Sequence, residues 1–405
     1  MKYLVYYITK DDNYKVLYDN DVIAELEYLP PTIEYSNFHS FKGYDATDDG
    51  LKKFKADFIT WCDELLNNDF FSINYTQYYT HYSAVELTFK RLCKGKYEYM
   101  PPIEAIESSW IERTHNGGLT YCDAGERESF GYDFSSFYPN IMSDYNFIIP
   151  KSKGVEQFIK TIPTELELGF YRVKITSDDK RVLKVFAFSK YNVYNNISLR
   201  HALDLQDEFN LKIDLIIDDK PNAYIYPKGV RGSSIFGTWC FTLYQIKTKY
   251  PKNKLIKHLL SSLWGSLSRK NKLFRTYQQI QDENLKVSMD VEEGSDYKII
   301  NYTLTDTKEY YELQSLVNPY KHNLRLKSFI TAHGRCNIAS VAMQNLPGVI
   351  RIQTDGIVFN KLILLDHKAI MQLPYKEQFL KYLVPDAKTT GFIKWENVNR
   401  YSDLF

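Results

Sequence analysis

The chain of 405 residues has room for two or three domains, and its 44% hydrophobic content allows each a substantial core. A net charge of +1 excludes a global basic field of the kind that announces nucleic acid; five cysteines without paired close spacing exclude a disulfide framework, and eight histidines without a cluster give no zinc site. The apolar run at residues 3–8 is too short for a signal peptide and meets charge at Lys10, and no stretch is long enough to span a membrane, so the expected location is cytoplasmic.

Residues 1 to about 105 read as a small mixed α/β unit. Residues 4–8 and 14–18 suit a hairpin across the polar Lys10-Asp11-Asp12-Asn13. Residues 51–66 have helical periodicity, with Phe54, Phe58, Trp61, Cys62 and Leu65 on one face, and residues 83–92 read as another helix. Pro101-Pro102 stiffens a linker, and Gly117-Gly118 just before a strand is a place where backbone can approach a ligand closely. Residues 131–134 read as a buried strand that stops abruptly; Ser135 and Ser136 can cap a helix, and Pro139 suits its first turn. Strands at 169–175 and 182–188, a helix at 199–209 and a strand at 211–217 follow.

Residues 233–275 read as two long helices, 234–249 and 252–268, broken near Tyr250-Pro251. No acidic residue occurs between Asp219 and Asp282, while that interval holds 12 lysines and arginines. A long single-sign segment points to a polyanionic partner. Residues 276–325 read as an insertion with an acidic turn at Asp290, Glu292, Glu293, Gly294 and Asp296, and residues 331–344 as a helix. Pro347-Gly348 is a turn signal, residues 349–353 and 357–359 read as strands, and Asp355-Gly356 is the hairpin-turn dipeptide between them.

Two carboxylates stand out in this layout. Asp133 sits at the end of a strand where the backbone turns, and Asp355 projects from a hairpin tip. Two aspartates on adjacent strand ends suit two hard cations such as Mg²⁺ about 3.5–4 Å apart, the arrangement used for in-line displacement at phosphorus.

Three stretches together resemble family B DNA polymerases. Asp133-Phe134-Ser135-Ser136-Phe137-Tyr138-Pro139 is similar to motif A, Lys257 through Gly265 resembles motif B (Lys-x-x-x-Asn-Ser-x-Tyr-Gly), and Gln353-Thr354-Asp355-Gly356 is similar to motif C (Asp-Thr-Asp-Ser). Their order and spacing also fit. His115 through Tyr121 resembles the Tyr-x-Gly-Gly element of the protein-primed branch, and Gly391 through Glu396 is similar to the Gly-x-x-x-x-Glu strand that closes the palm. Tyr82 through Glu86 only faintly resembles an exonuclease element, so a structural cap is expected there.

The resemblance implies an α+β right-hand fold: a palm of antiparallel sheet with helices at 106–232 and 326–405, two-helix fingers at 233–275, an insertion at 276–325, a reduced N-terminal domain at 1–105, and no full thumb. It makes Asp133 and Asp355 catalytic metal ligands, with the Phe134 carbonyl beside them and two Mg²⁺ ions (Mn²⁺ as a substitute) as cofactor. It assigns nucleotide binding to Ser136, Phe137, Tyr138, Lys247, Lys254, Lys257, Ser261 and Trp264, and DNA binding to Gly117, Gly118, Gly265, Arg269, Lys270 and Lys394. The implied partners are DNA primer-template, dNTPs, and a terminal protein or second subunit supplying thumb function; the setting is the host cytosol of a virus or linear mobile element. Departures are Gln353 for the first aspartate of motif C, Gly356 for Ser, Ser261 for Asn and Trp264 for Tyr. Two readings stay open: a template-directed DNA polymerase, and a polymerase-like nucleic-acid-binding or assembly subunit without catalysis.

Overall fold

The computed structural model describes residues 4–8, 14–18, 21–26, 38–41, 47–77, 81–115, 117–289, 294–304, 309–363, 383–399 and 401–403. The chain divides into two compact units, Met1–Glu98 with Thr238–His322, and Tyr99–Gly237 with Asn323–Phe405.

The first unit opens with β1 (Leu4–Ile8), β2 (Tyr14–Tyr18), β3 (Asp21–Leu26) and β4 (Phe38–Phe41), in the order β3-β2-β1-β4. β1 and β2 form the expected antiparallel pair; the connection at residues 10–13 lies outside the described residues. Helices α1 (Asp48–Leu66) and α2 (His81–Cys93) follow. The chain then enters the second unit through α3 (Ala105–Arg113), β5 (Thr120–Cys122), β6 (Gly125–Phe134), α4 (Phe137–Ser143), β7 (Ile148–Pro150), β8 (Val155–Gln157), β9 (Gly169–Thr176), β10 (Val193–Asn195), α5 (Asn196–Asp204), β11 (Lys212–Leu215), β12 (Ala223–Ile225) and β13 (Gly229–Arg231). Helix α6 (Gly232–Lys249) carries it back to the first unit, which continues with α7 (Lys254–Leu267), β14 (Lys272–Arg275), α8 (Tyr277–Asp282), β15 (Val287–Ser288), β16 (Tyr297–Leu304) and β17 (Glu309–Ser315). The second unit is completed by α9 (Lys327–Met343), β18 (Val349–Gln353), β19 (Gly356–Phe359), β20 (Leu383–Trp395) and β21 (Tyr401–Asp403).

Helical periodicity builds the first unit. Phe54, Phe58, Trp61, Cys62 and Leu65 of α1 are all buried, as expected, and so are Leu255, Ile256, Leu259, Leu260, Leu263 and Leu267 of α7. Asn253 caps α7 by accepting from the Leu255 and Ile256 amides, and its own side-chain amide donates to the Trp61 carbonyl (3.0 Å) and to Glu64 (2.8 Å). One asparagine thus ends the Tyr250-Pro251 break and docks the new helix on α1. The insertion forms the antiparallel β14-β17-β16 sheet with β15 parallel at its edge. Of its expected acidic turn, Asp290, Glu292 and Glu293 lie outside the described residues.

The second unit is built on a six-stranded antiparallel sheet, ordered β21-β20-β6-β19-β18-β5. Helix α9 is buried along most of its length, which suits a sequence of small and apolar residues with few charges. A second sheet runs β10-β9-β12-β8, with β11 also on β9. Arg325 closes this unit: fully buried, it meets both oxygens of Glu107 (2.7 and 2.8 Å) and the carbonyls of Pro101, Pro102 and Asn323, while Tyr226 donates to Glu107 (2.8 Å).

Three local expectations are corrected. Residues 182–188 form no strand; Lys180–Lys184 is a 3₁₀ turn, capped where Asp179 accepts from the Arg181 amide, and it buries Val182, Val185 and Phe186. The helix expected at 199–209 starts earlier, because Asn195 caps it at the Ser198 amide (2.9 Å), and it ends at Asp204. Ser136 stands at the N-cap of α4 in a left-handed conformation (φ 55°) and makes no side-chain cap; the helix is entered by a backbone turn instead.

Candidate functional site

The site begins where β6 ends. Asp133 lies directly opposite Gly356 of β19, and the Phe134 amide donates to the Asp355 carbonyl (2.9 Å). The two aspartates expected to act together therefore stand close by, Asp133 in β6 and Asp355 in the turn just before the neighbouring β19. Both are half-buried. Both line one cavity of about 200 Å³, shared with Arg351, Gln353, Asp386, Thr389 and Asn399. Two carboxylates facing one cavity repel each other, and a cation between them removes that cost. Oxygen donors suit a hard divalent ion such as Mg²⁺. Among the described residues no three His, Cys, Asp or Glu side chains converge as a metal-holding group. Phosphate and water oxygens would have to complete the shell, as is usual for Mg²⁺.

The hairpin tip differs from its expected form. Gly356 takes no unusual conformation and pairs with Gln353 as a strand residue; Thr354 carries the positive φ, 59°. The Asp355 amide donates back to the Gln353 carbonyl (2.7 Å), closing a γ-turn centred on Thr354. A β-branched residue held there stores about 1–3 kcal/mol of strain. The Gln353 side-chain amide donates to Asn399 (2.7 Å), so the residue replacing the motif C aspartate is tied to the loop after β20.

Tyr138 stands on the first turn of α4, and Gly334 of α9 makes room for it. A Cβ at Gly334 would lie 3.0 Å from the Phe137 ring and 3.3 Å from the Tyr138 ring. Burial pushes the Tyr138 phenol pKa up, and the Asp355 charge adds to this, so the phenol stays protonated. Phe137 stacks on Phe134 (5.1 Å between centroids) and is core rather than exposed; Ser136 is half-buried beside it.

Gly117 and Gly118 lie in the same unit, and their setting gives Gly118 a reason of its own. Its missing Cβ would sit 2.7 Å from the Thr354 hydroxyl. Lys394, on β20, is exposed and approaches Glu126 at 4.0 Å.

The remaining expected residues belong to the first unit. Lys257 is exposed on α7 and Lys247 half-buried on α6. Burial lowers the Lys247 pKa, and the Lys257 charge lowers it further, so the two ammonium groups repel each other, an arrangement suited to a polyphosphate. Lys254 is turned differently, with its ammonium 5.7 Å from the centre of the Trp61 ring. Ser261 donates to the Lys257 carbonyl (2.8 Å), and Trp264 and Gly265 are half-buried on α7. Arg269 pairs with Glu86 (3.6 Å) and covers the Tyr82 ring, while Lys270 pairs through its backbone with Tyr320. Lys249, Lys272 and Arg275 pair with Asp69, Glu312 and Glu283. Much of the single-sign segment is thus neutralised by acids from elsewhere in the chain. Glu86, the faint exonuclease match, is bound by Ser266 (2.5 Å) and His322 (3.3 Å) as well as Arg269 and serves as a brace of this unit.

Sequence reading gave no role to Asp386, Thr389 and Asn399, which line the cavity, nor to Gly334 and Arg335 of α9.

No family model matches the sequence, and no curated protein matches it. Solved structures do match. The phi29 DNA polymerase complexed with single-stranded DNA aligns with a TM-score of 0.57 at 15% identity over 93% of this chain. The phi29 DNA polymerase complexed with primer-template DNA aligns at 0.55 and 16% over 93%, and the ternary complex with incoming nucleotides at 0.55 and 14% over 94%. The chain spans 63% of the length of each of these structures. Among the described residues no helix is long and apolar enough to cross a membrane. The likeness is one of fold: a mixed α+β chain with antiparallel sheets, similar in architecture to the phi29 DNA polymerase.

Proposed function

We propose that this chain is a template-directed DNA polymerase that adds dNTPs to a primer 3′-end, of the kind carried by a virus or mobile element. In this reading the six-stranded sheet is the palm, and α6 and α7 are the fingers. The observation that carries it is the placement of Asp133, near the end of β6, and Asp355, in the turn that opens the neighbouring β19, at one polar cavity in a polymerase-like fold. Asp133 and Asp355, with the Phe134 carbonyl, would hold two Mg²⁺ or Mn²⁺ ions. Those ions, when bound, activate the primer hydroxyl and neutralise charge developing on the triphosphate.

The chain's own residues do the rest. Tyr138, its phenol kept neutral by burial, would stand beneath the sugar and exclude a 2′-hydroxyl by contact. Lys257 and Lys247 supply cationic charge for the phosphates. Gly265 leaves α7 open for a nucleic-acid backbone. Primer-template DNA and dNTPs are the partners.

A non-catalytic nucleic-acid-binding or assembly subunit is the second reading, and Gln353 favours it. An amide tied to Asn399 stands where the motif has a carboxylate. Primer extension with Mg²⁺ or Mn²⁺ decides between them. The expected result is extension by the unaltered chain and none by Asp133→Ala or Asp355→Ala. A folded chain that binds primer-template without extending it supports the second reading.

A further inference from the structure

The Thr354 turn is strained in a way its own hairpin does not require. Gly356 stands two residues on and could take a positive φ without cost, yet it keeps strand register, and the left-handed conformation falls on a β-branched residue. Something outside the hairpin imposes it. Two contacts do. The Thr354 amide donates to the Leu119 carbonyl (3.0 Å), and Gly118 packs so closely that a Cβ there would lie 2.7 Å from the Thr354 hydroxyl and 3.0 Å from its Cα. That loop is gripped from behind by Arg335 of α9. Its guanidinium, 5% exposed, donates to the carbonyls of Gly117 (2.6 Å) and His115 (3.1 Å) and to the Ser198 hydroxyl (3.1 Å). On its other side Asp355 is anchored to β6 through the Phe134 amide (2.9 Å).

We propose that Arg335 and Gly118 are positioning residues, which hold Thr354 in its left-handed turn and so aim Asp355 at the cavity it shares with Asp133. The proposal rests on reading that cavity as the polymerase metal site. It assigns the glycine pair a task inside the protein: Gly118 is small because the tip of the hairpin leans on it. It also explains why Arg335 is buried against carbonyls: three backbone or hydroxyl oxygens fix one rotamer of a planar, many-donor group.

The test compares Gly118→Ala, Arg335→Lys and Gly118→Ala combined with Thr354→Gly. Amide hydrogen exchange at Thr354 and Phe134 reads the tip directly, with Ala339 in α9 as the internal standard. Mn²⁺ binding to the protein alone, followed by electron paramagnetic resonance, reads the consequence at the cavity. Gly118→Ala and Arg335→Lys are expected to speed exchange at Thr354 and Phe134 tenfold or more with Ala339 unchanged, and to weaken Mn²⁺ binding by a similar factor. Adding Thr354→Gly to Gly118→Ala removes the hydroxyl and Cβ that the new methyl meets, leaves only the Cα at 3.0 Å, and should restore much of the Phe134 protection. Unchanged exchange at both amides overturns the proposal, as does equal loss at Ala339. Should Gly118→Ala not fold, Arg335→Lys alone carries the test: faster exchange at Thr354 and Phe134 is expected, and unchanged exchange at both overturns the proposal. Absence of Mn²⁺ binding by the unaltered chain would sink the metal reading, while the exchange result still decides the brace.

Discussion

Gly265→Ala separates what helix α7 needs in order to fold from what it needs in order to bind. Gly265 lies near the end of the helix, where its carbonyl accepts from the Ser268 amide (3.2 Å). A Cβ built there meets nothing within 4 Å. The substitution therefore brings no clash, and it removes the entropic cost of glycine in a helix, about 0.5–1 kcal/mol. That corresponds to roughly a two- to fivefold smaller opening constant for the helix. A glycine that costs stability where a methyl would meet nothing invites a functional reason, and the proposed reason is the close passage of primer-template DNA along that open side. A methyl group in that path displaces the nucleic acid, and a displacement near 1 Å is able to cost about 100-fold in rate. The two effects have opposite signs. Urea unfolding should show Gly265→Ala equal to or more stable than the unaltered chain. Fluorescence anisotropy and primer extension should show DNA affinity and rate falling tenfold or more. Higher stability with undiminished binding and extension would refute the DNA-approach reasoning. A stability loss above about 1 kcal/mol would refute the packing reasoning, since nothing in the structure opposes the methyl.

Two further outcomes test the energetics of each unit. Burial raises the Glu86 pKa, but the His322 and Ser266 hydrogen bonds and the Arg269 charge outweigh it and leave it below the ordinary 4.5. The stability this carboxylate contributes is present above its ordinary pKa and is lost as pH falls through its lowered one. Glu86→Gln should therefore flatten the acid limb of urea stability measured from neutral pH downward; parallel acid limbs for the two proteins would remove Glu86 as a cause. Arg325→Met strands the buried Glu107 carboxylate and should destabilise the chain by about 3–5 kcal/mol, with Glu107→Leu added to it recovering most of the loss. A single-variant loss under 1 kcal/mol would mean that water reaches Glu107 when Arg325 is gone.

Much of this protein was legible in its residues because the relevant physics is local. Apolar spacing disclosed α1, and the alternating segment around Arg351 disclosed β18; α7 and most of α9 were also read as helices. Tyr250-Pro251 marked the break between α6 and α7, while the Asn253 cap that restarts the chain emerged only in the structure; Asp133 was already placed at a strand end and Asp355 at a hairpin tip. Other features are settled by partners far away in sequence. Val182, Val185 and Phe186 favour strand by propensity, but the Asp179 cap put Val182 into a 3₁₀ turn that ends at Val185, and all three are buried without forming a strand. The run without acidic residues suggested one continuous cationic face, until Asp69, Glu86, Glu283 and Glu312 came to meet it. The hairpin tip shows the division most clearly. Local rules put the unusual backbone angle on the Asp355-Gly356 dipeptide, as turn chemistry alone would. Only the packed structure moves it to Thr354, because Gly118, more than 200 positions earlier, occupies the space against that residue and Leu119 takes its amide. Periodicity and turn residues determine which elements exist. Close packing between distant segments determines where a carboxylate at the end of one of them finally points.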